Sequence, residues 1–185
     1  MKLPSHLGGN ANQTHIDVGV LNYMKDHHHV KSMLDIGCSS GGMVRLAETL
    51  GIDSVGIDGD YTVIPKGSNF ITHDYQKGST LLTRTFDMVW SCEFVEHVHE
   101  RYIENYINDF CRGKKLIMSY SENPNGYHHV NLKPESYWIE TLNTYGFEFD
   151  LEETLKIREI STMNLKKPKG KRFMKNAGMF FNRMP

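Results

Sequence analysis

The sequence predicts an α/β fold, a three-layer sandwich in which helices cover both faces of a mostly parallel sheet. Short apolar runs of strand length alternate with helical patterns, an order typical of parallel strands joined by crossover helices. A chain of 185 residues, 39% hydrophobic and 23% charged, is large enough for one domain with a full core. The segment from Val30 to Asp58 shows strand, glycine turn, helix and second strand in succession, which is half of a nucleotide-binding unit.

The first half of this segment is a strand that leads into a tight turn. Val30–Ile36 is a short, largely apolar run of strand length. Glycines then allow the backbone to turn into Met43–Leu50, a helix with apolar periodicity that closes at Gly51. The amino end of such a helix presents unpaired backbone N–H groups. It therefore predicts a site for a carboxylate or phosphate over the strand ends.

The second half ends in an acidic residue at the tip of a strand. Ser54–Ile57 is a second buried parallel strand, and Asp58 follows it. An acid in that place accepts hydrogen bonds from both hydroxyls of a ribose. The pattern predicts a pocket for an adenosine-like ligand.

The turn sequence resembles a family signature. Asp35-Ile36-Gly37-Cys38-Ser39-Ser40-Gly41 is similar to the acidic-x-Gly-x-Gly-x-Gly motif of class I S-adenosylmethionine-dependent methyltransferases, with Ser39 in place of the middle glycine. The resemblance implies a Rossmann-like, seven-stranded sheet with an antiparallel C-terminal strand, and S-adenosylmethionine as the methyl donor. It also implies a set of donor-binding residues, which are Asp35, Gly37, Cys38, Ser39, Gly41, Asp58, Gly59, Asp74 and Ser91.

Three acids have particular places in that family. The opening acid lies near the amino end of the donor, the acid ending the second strand holds the ribose, and an acid after the third strand often bonds the adenine amino group. Asp35, Asp58 and Asp74 stand in these places. A nicotinamide dinucleotide fold is the alternative interpretation, but its G-x-G-x-x-G fingerprint is missed at Ser39 and the sequence has no Tyr-x-x-x-Lys pair.

The remaining elements continue the alternation of strands and helices. A leading helix is predicted with Thr14 as its N-cap and an end near Lys25. The glycine-rich segment Leu7–Gln13 before it is either a flap that closes over the ligand or an unstructured terminus. The later elements are the strands Asn69–His73, Phe86–Ser91 and Lys114–Tyr120, a helix from Pro134 to Gly146, a strand Phe147–Leu151, and an antiparallel strand Ala177–Asn182 between the fifth and sixth.

An E-x-x-E-H pattern follows the fourth strand. The spacing places Glu93, Glu96 and His97 on one face of a helix predicted to run to about Cys111. The pattern resembles that of metal-assisted methyltransferases, among them ubiquinone-pathway O-methyltransferases and small-RNA 2′-O-methyltransferases. The resemblance implies that two Glu, this His and a later His hold a divalent ion. The loop after the fifth strand supplies His129 as the later His.

These side chains also have other interpretations. A purely structural role is open, since acids favour a helix amino terminus. Without a metal, His129 or His97 is the predicted general base, because imidazole has a suitable pKa. The ligand set would suit Mg²⁺, Mn²⁺ or Zn²⁺ and leaves the ion open. The catalytic candidates are Glu93, Glu96, His97 and His129.

The predicted activity is methyl transfer to a hydroxyl group of a small polar metabolite or sugar. The D/N/S-P-P-aromatic motif of nucleobase amino-methyltransferases is missing after the fourth strand, which argues against methylation of adenine or cytosine in DNA. RNA is an alternative acceptor. A module that binds a nucleoside without catalysis is the alternative to an enzyme.

Charge is distributed unevenly along the chain. Residues 156–185 carry nine of the 21 Lys and Arg but one of the 22 Asp and Glu. The basic run in this tail is a solvated loop or a patch that attracts a polyanion such as RNA or a phosphorylated substrate.

The sequence predicts a single domain, with a leading helix and flap over 1–29, a core over 30–155 and a basic tail with the last strand over 156–185. No apolar run is long enough to span a bilayer, and the amino-terminal residues do not resemble a signal peptide. Three cysteines without a C-x-x-C pair favour reduced thiols. We therefore expect a soluble, cytoplasmic protein with no membrane partner.

Overall fold

The computed structural model describes residues 3–8, 13–65, 69–164 and 172–185. The strands in these residues are β1 (Ser32–Ile36), β2 (Asp53–Asp58), β3 (Phe70–Thr72), β4 (Phe86–Ser91), β5 (Gly113–Ser119), β6 (Phe147–Phe149) and β7 (Gly178–Arg183). The helices are α1 (Val18–His27), α2 (Gly42–Thr49), α3 (Ile103–Phe110), α4 (Glu135–Thr144), α5 (Leu151–Ile160) and α6 (Phe173–Ala177). Short 3₁₀ turns lie at Tyr75–Lys77, Val95–His97 and Glu100–Tyr102.

The strands form one sheet in the order β3-β2-β1-β4-β5-β7-β6. The pairs among β1 to β5 are parallel, whereas β7 runs antiparallel to both β5 and β6. The strand order reverses between β1 and β4, and in open α/β sheets ligands bind at the carboxyl ends of the strands beside such a reversal. The predicted α/β class, the mostly parallel sheet and the place of the last strand are confirmed.

Two hydrophobic cores lie on opposite faces of the sheet. Neighbouring residues in the central strands belong to different cores, as Met33 and Leu34 of β1 do, because successive strand side chains point to opposite faces. α3 and α4 cover the core of Leu34, while α1, α2, α5 and α6 cover that of Met33. The sheet is thus the middle layer of three.

The leading helix begins at a different cap from the one predicted. Thr14 is not the N-cap. Asp17 caps α1 by accepting from the Val20 N–H at 3.1 Å. The fully buried Asp17 carboxylate also accepts from the Ser161 hydroxyl at 2.5 Å and the Thr162 N–H at 3.0 Å. These partners are distant in sequence, so no local pattern reveals them. They explain why Asp17 rather than Thr14 is the N-cap of α1.

The prediction that a helix starts at Glu93 is also wrong. Glu93 has a φ of 54°, in the left-handed region that a right-handed helix cannot include. Two 3₁₀ turns follow, and α3 begins only at Ile103. The E-x-x-E-H pattern therefore lies on a turn rather than on a helix face.

Among the described residues, no helix combines the length and the apolar content that crossing a bilayer requires.

Candidate active site

A cleft of about 800 Å³ opens at the carboxyl ends of the central strands. Residues that directly follow β1, β2 and β4 line it, for example Gly37, Gly59 and Cys92. This position is the reversal in strand order, and the volume lies in the range of small-molecule sites.

Asp58 lies on one wall of the cleft, at the end of β2. Its Oδ2 accepts from the Ser39 N–H at 2.6 Å and its Oδ1 from the Asp60 N–H at 2.8 Å. Burial raises the pKa of Asp58, and these backbone donors oppose the rise. Because a carboxylate has about four lone pairs, both oxygens still have acceptor capacity for ligand hydroxyls.

Asp35 and Ser39 line the cleft with polar groups that a ligand could stabilise. Burial raises the pKa of Asp35 well above its ordinary value, and the neighbouring Asp58 carboxylate adds to that rise. A positively charged ligand group would favour the ionised form of both acids. The buried Ser39 hydroxyl has no hydrogen-bond partner in the described part of the chain. The residues present thus fit S-adenosylmethionine, which carries a ribose, an ammonium and a sulfonium.

An aromatic wall faces these polar groups. Gly37 has a left-handed φ of 77°, and a Cβ there would lie 2.7 Å from the Phe94 ring. The Phe94 ring meets Tyr75 edge to face at 5.7 Å, and the Tyr75 hydroxyl donates to buried Asp109 at 2.9 Å. Rings fixed in this way offer an apolar surface for a nucleobase. The sequence analysis placed neither Phe94 nor Asp109 in the binding site.

The structure distributes the predicted donor-binding residues between the cleft and its supports. Those that line the cleft are Asp35, Gly37, Cys38, Ser39, Asp58, Gly59 and Asp74. Gly41 and Ser91 do not line it. Gly41 is the left-handed N-cap of α2, and buried Ser91 donates from its hydroxyl to the Ile36 carbonyl at 3.0 Å.

The amino end of α2 is partly occupied by the chain itself. The Gly42 N–H donates to the Thr14 hydroxyl at 3.1 Å, and a Cβ on Gly42 would collide with the Thr14 side chain. Thr14 lines the cleft. The expectation that this helix end leaves its N–H groups for a ligand is therefore wrong at Gly42, and the polar Thr14 was assigned to the wrong helix.

An acid–imidazole cluster lies beside the donor side of the cleft. The potential ligand atoms of Glu96, His97 and His129 all lie within 4.8 Å of one another. The loop after β5 reaches this turn because the Val130 and Asn131 N–H groups donate to the Glu96 carbonyl at 2.9 and 3.1 Å. The predicted grouping of these three side chains is present, although a turn and a loop build it instead of a helix face.

Glu93 neighbours Glu96 but is not one of the three grouped ligand residues. The Glu93 carboxylate accepts from the Ser119 hydroxyl at 3.3 Å. The Glu93 backbone N–H donates to the Ser119 Oγ at 2.9 Å. Burial raises the pKa of Glu93 to about 7 and that of Glu96 well above its ordinary value. Two buried acids therefore compete for ionisation next to the cleft.

The side chains of the cluster are of types that bind a cation. Both carboxylate oxygens of Glu96 are buried and have no hydrogen-bond partner among the described residues. Burial lowers the pKa of His97 to about 4, so its imidazole is neutral at pH 7. The His129 Nδ1 donates to the Asn123 carbonyl, which leaves its Nε2 with a lone pair. One carboxyl group and two imidazoles are residue types that fit a divalent metal.

Gly126 is a further residue of the site that sequence reasoning missed. A Cβ there would overlap the His129 ring, so only glycine allows this loop to pack on the imidazole. An N-P-N-G turn signal precedes the two histidines and could have suggested a constrained loop.

Known proteins resemble this chain in part of its sequence and in its fold. A family model described as a methyltransferase domain matches residues 34–112. A search of curated protein sequences gives no significant match. Several solved structures are similar in fold, at identities too low to indicate more than the fold.

A TehB-like S-adenosylmethionine-dependent methyltransferase from Corynebacterium glutamicum has a TM-score of 0.59 at 16% identity, over 83% of this chain and 80% of that chain. The methyltransferase domain of bacterial CtHen1-C has a TM-score of 0.60 at 13% identity, over 90% and 96% of the two chains. A magnesium protoporphyrin IX methyltransferase (ChlM) from Synechocystis, bound to S-adenosylhomocysteine, has a TM-score of 0.53 at 16% identity, over 71% of each chain. The match to its complex with S-adenosylmethionine spans 60% of that chain.

Proposed function

We propose that this chain, which has a Rossmann-like fold, is an S-adenosylmethionine-dependent methyltransferase that methylates a hydroxyl group of a small polar metabolite or sugar. The observation that carries the acceptor chemistry is the cluster of Glu96, His97 and His129 beside the donor cleft. Such a cluster is suited to an acceptor that must lose a proton as it is methylated.

The donor side is assigned first. The Asp58 carboxylate would accept from both ribose hydroxyls, and Asp35 with the Ser39 hydroxyl would face the methionine portion. Asp74 would accept from the adenine amino group, with Phe94 and Tyr75 against the base. These assignments rest on the shared cleft and on the acceptor capacity described for Asp58 and Ser39.

The acceptor side follows from the fixed place of the donor methyl. When bound, the donor supplies a sulfonium methyl group that an acceptor oxygen takes by direct displacement. The chain must then align that oxygen and remove its proton. A divalent cation held by Glu96, His97 and His129 would lower the pKa of the acceptor hydroxyl. Without a cation, His129 would instead take the proton of the acceptor hydroxyl itself.

Supplying methyl-labelled donor together with a mixed cell extract tests the acceptor class. We expect label in small polar molecules, on a group stable to base as an ether is, and stoichiometric release of S-adenosylhomocysteine. Label in an amine or a protein fraction would contradict the proposal. Donor binding with no turnover in any fraction would favour the non-catalytic nucleoside-binding module.

RNA is the second candidate acceptor, and one observation favours it. Asn164 and Phe173 both line the cleft and bracket the basic run of the tail. The lysines of that run, Lys166, Lys167, Lys169 and Lys171, lie outside the described residues. Positive charge in such a run would attract the phosphates of an RNA acceptor, as a metal-assisted RNA 2′-O-methyltransferase requires.

Replacing Lys166, Lys167, Lys169 and Lys171 together with Gln tests the two candidates. For an RNA acceptor we expect weaker acceptor binding, a flatter salt dependence and unchanged donor affinity, because each lost phosphate contact removes about one unit of the log–log salt slope. The acceptor KM at several salt concentrations measures this.

A quadruple Gln variant of Lys25, Lys31, Lys114 and Lys156, which are exposed residues outside the basic run, controls for net charge. If both variants keep the wild-type KM and salt slope, the basic run is a solvated loop and the RNA candidate loses its support.

A further inference from the structure

The amino-terminal residues 3–8 form a strap across the nucleoside half of the cleft. The Leu7 N–H donates to the Pro4 carbonyl at 3.0 Å, and Gly8 has a left-handed φ of 86°. This turn brings His6, Leu7 and Gly8 into the lining of the cleft. The strap comes from a part of the sequence far from the strands that build the site.

The strap touches the loop after β2. A Cβ on Gly59 would lie 2.6 Å from the Leu7 side chain, and a Cβ on Gly8 would lie 3.3 Å from the Asp60 carboxylate. Gly59 and Asp60 directly follow Asp58, the proposed ribose ligand. The strap is therefore seated over the nucleoside end of the donor site.

His6 connects the strap to the acid after β3. The His6 Nε2 lies 3.1 Å from the Asp74 Oδ2, and because a carboxylate only accepts, the imidazole is the donor. The Gln76 N–H donates to the Asp74 Oδ1 at 3.0 Å. Two donors, one on each oxygen, thus fix the plane of a carboxylate whose side chain is 10% exposed.

The other groups around this contact are weaker partners. The Lys77 Nζ lies 3.9 Å from the Asp74 Oδ2, but the lysine side chain is 79% exposed, so its interaction is screened by water. The His128 ring lies 6.4 Å from the His6 ring and contacts the imidazole rather than the carboxylate. His6 is the shielded side-chain partner of Asp74.

We propose that His6 is a positioning residue that orients Asp74 as an acceptor for the exocyclic amino group of adenine, and so determines the base selectivity of the donor site. This inference rests on the proposed role of Asp74. With its orientation fixed, the ionised carboxylate can accept a hydrogen bond from the base but cannot donate one. Adenine carries an amino donor at position 6. Hypoxanthine carries a carbonyl acceptor there, so a fixed carboxylate opposes it.

Calorimetric affinities for S-adenosylhomocysteine and S-inosylhomocysteine test the inference without requiring catalysis. Wild-type protein should prefer the adenosyl compound, and His6→Ala should reduce the ratio of the two affinities by about tenfold, the equivalent of one hydrogen bond to a charged group. His6→Gln should restore most of the ratio, because a Gln amide can donate from a similar distance.

Two further variants separate orientation from general closure. Leu7→Ala should weaken both ligands and lower the ratio less than His6→Ala does, since it loosens the strap but keeps the imidazole that bonds Asp74. Asp74→Ala should abolish the preference for the adenosyl compound.

Each result has a defined meaning. A His6→Ala protein that keeps the wild-type ratio while Asp74→Ala loses it would overturn the role of His6 and leave the proposed donor site standing. An unchanged ratio in Asp74→Ala, or no preference in wild type, would overturn both assignments. Thermal unfolding of each variant confirms that the ratios are measured on folded protein.

Discussion

Replacing His129 with Ala is expected to slow methyl transfer by about 10²–10⁴-fold, the range typical of a lost general base. The Nδ1 bond to the Asn123 carbonyl fixes the imidazole, and a ring nitrogen of His129 lies within 4.8 Å of the potential ligand atoms of Glu96 and His97. Loss of the ring removes either the proton acceptor or one metal ligand. Single-turnover rates with saturating donor measure the chemical step directly. His27→Ala, an exposed histidine at the end of α1, is the matched control and should keep the wild-type rate.

Chelation distinguishes the two roles of His129. If the cluster holds a metal, a chelator should abolish activity and Mg²⁺ or Mn²⁺ should restore it in wild type but not in Glu96→Gln. If the imidazole acts alone, the chelator should have no effect while His129→Ala remains slow. A His129→Ala protein that reacts at the wild-type rate would contradict both roles.

The stability of the metal-free protein gives an independent measure of the same cluster. Since burial raises the pKa of Glu93 to about 7 from 4.5, the folded state holds a proton that the unfolded chain releases in this interval. The resulting stabilisation is complete below about pH 4.5 and is lost as the pH rises through 7. Burial raises the pKa of Glu96 as well, so the same loss of stability at high pH applies to it. Metal-free Glu96→Gln should therefore unfold at a higher temperature than metal-free wild type at pH 8, by about 2–4 °C per kcal/mol. Added Mn²⁺ should raise the midpoint of wild type alone.

Replacing Asp58 with Ala is expected to weaken donor binding by about 10²–10⁴-fold. The carboxylate is proposed to bond both ribose hydroxyls, and each hydrogen bond to a charged group contributes about 1.5–3 kcal/mol. The same side chain also fixes the Ser39 and Asp60 backbone by accepting from their N–H groups. Titration calorimetry with S-adenosylhomocysteine measures the loss.

Asp53→Ala is the control for this variant. Asp53 lies at the opposite end of β2, where its exposed carboxylate pairs with Arg84 at 2.6 Å. The control should bind the donor as wild type does. Equal affinity in Asp58→Ala and wild type would remove Asp58 from the donor site.

The sequence predicted the fold well because its main signals are local. The glycine turn, the acid ending β2 and the apolar strands are each contained in a few consecutive residues. The structure confirms the sheet they build, including the antiparallel β7.

The predictions that were wrong depended on long-range contacts. Thr14 and Asp17 are both good N-cap residues, and the choice between them is made by Ser161 and Thr162, which are remote in sequence. The left-handed backbone of Glu93 replaces a favourable helix start because the turn is bonded to Ser119. The grouping of Glu96, His97 and His129 was predicted from a resemblance to a family motif. Site residues outside any such motif, such as Gly126, could be identified only from the structure.

The position of β7 has a consequence for the order in which the chain can assemble. β7 is made after β6 but lies between β5 and β6, where it bonds residue by residue to both. A growing chain that has emerged only as far as Ala177 therefore exposes the hydrogen-bonding edge of β5 and has no place to attach β6. Until β7 inserts, these unpaired edges can recruit strands from other chains, so the nascent protein is most prone to misassociate just before its sheet is completed.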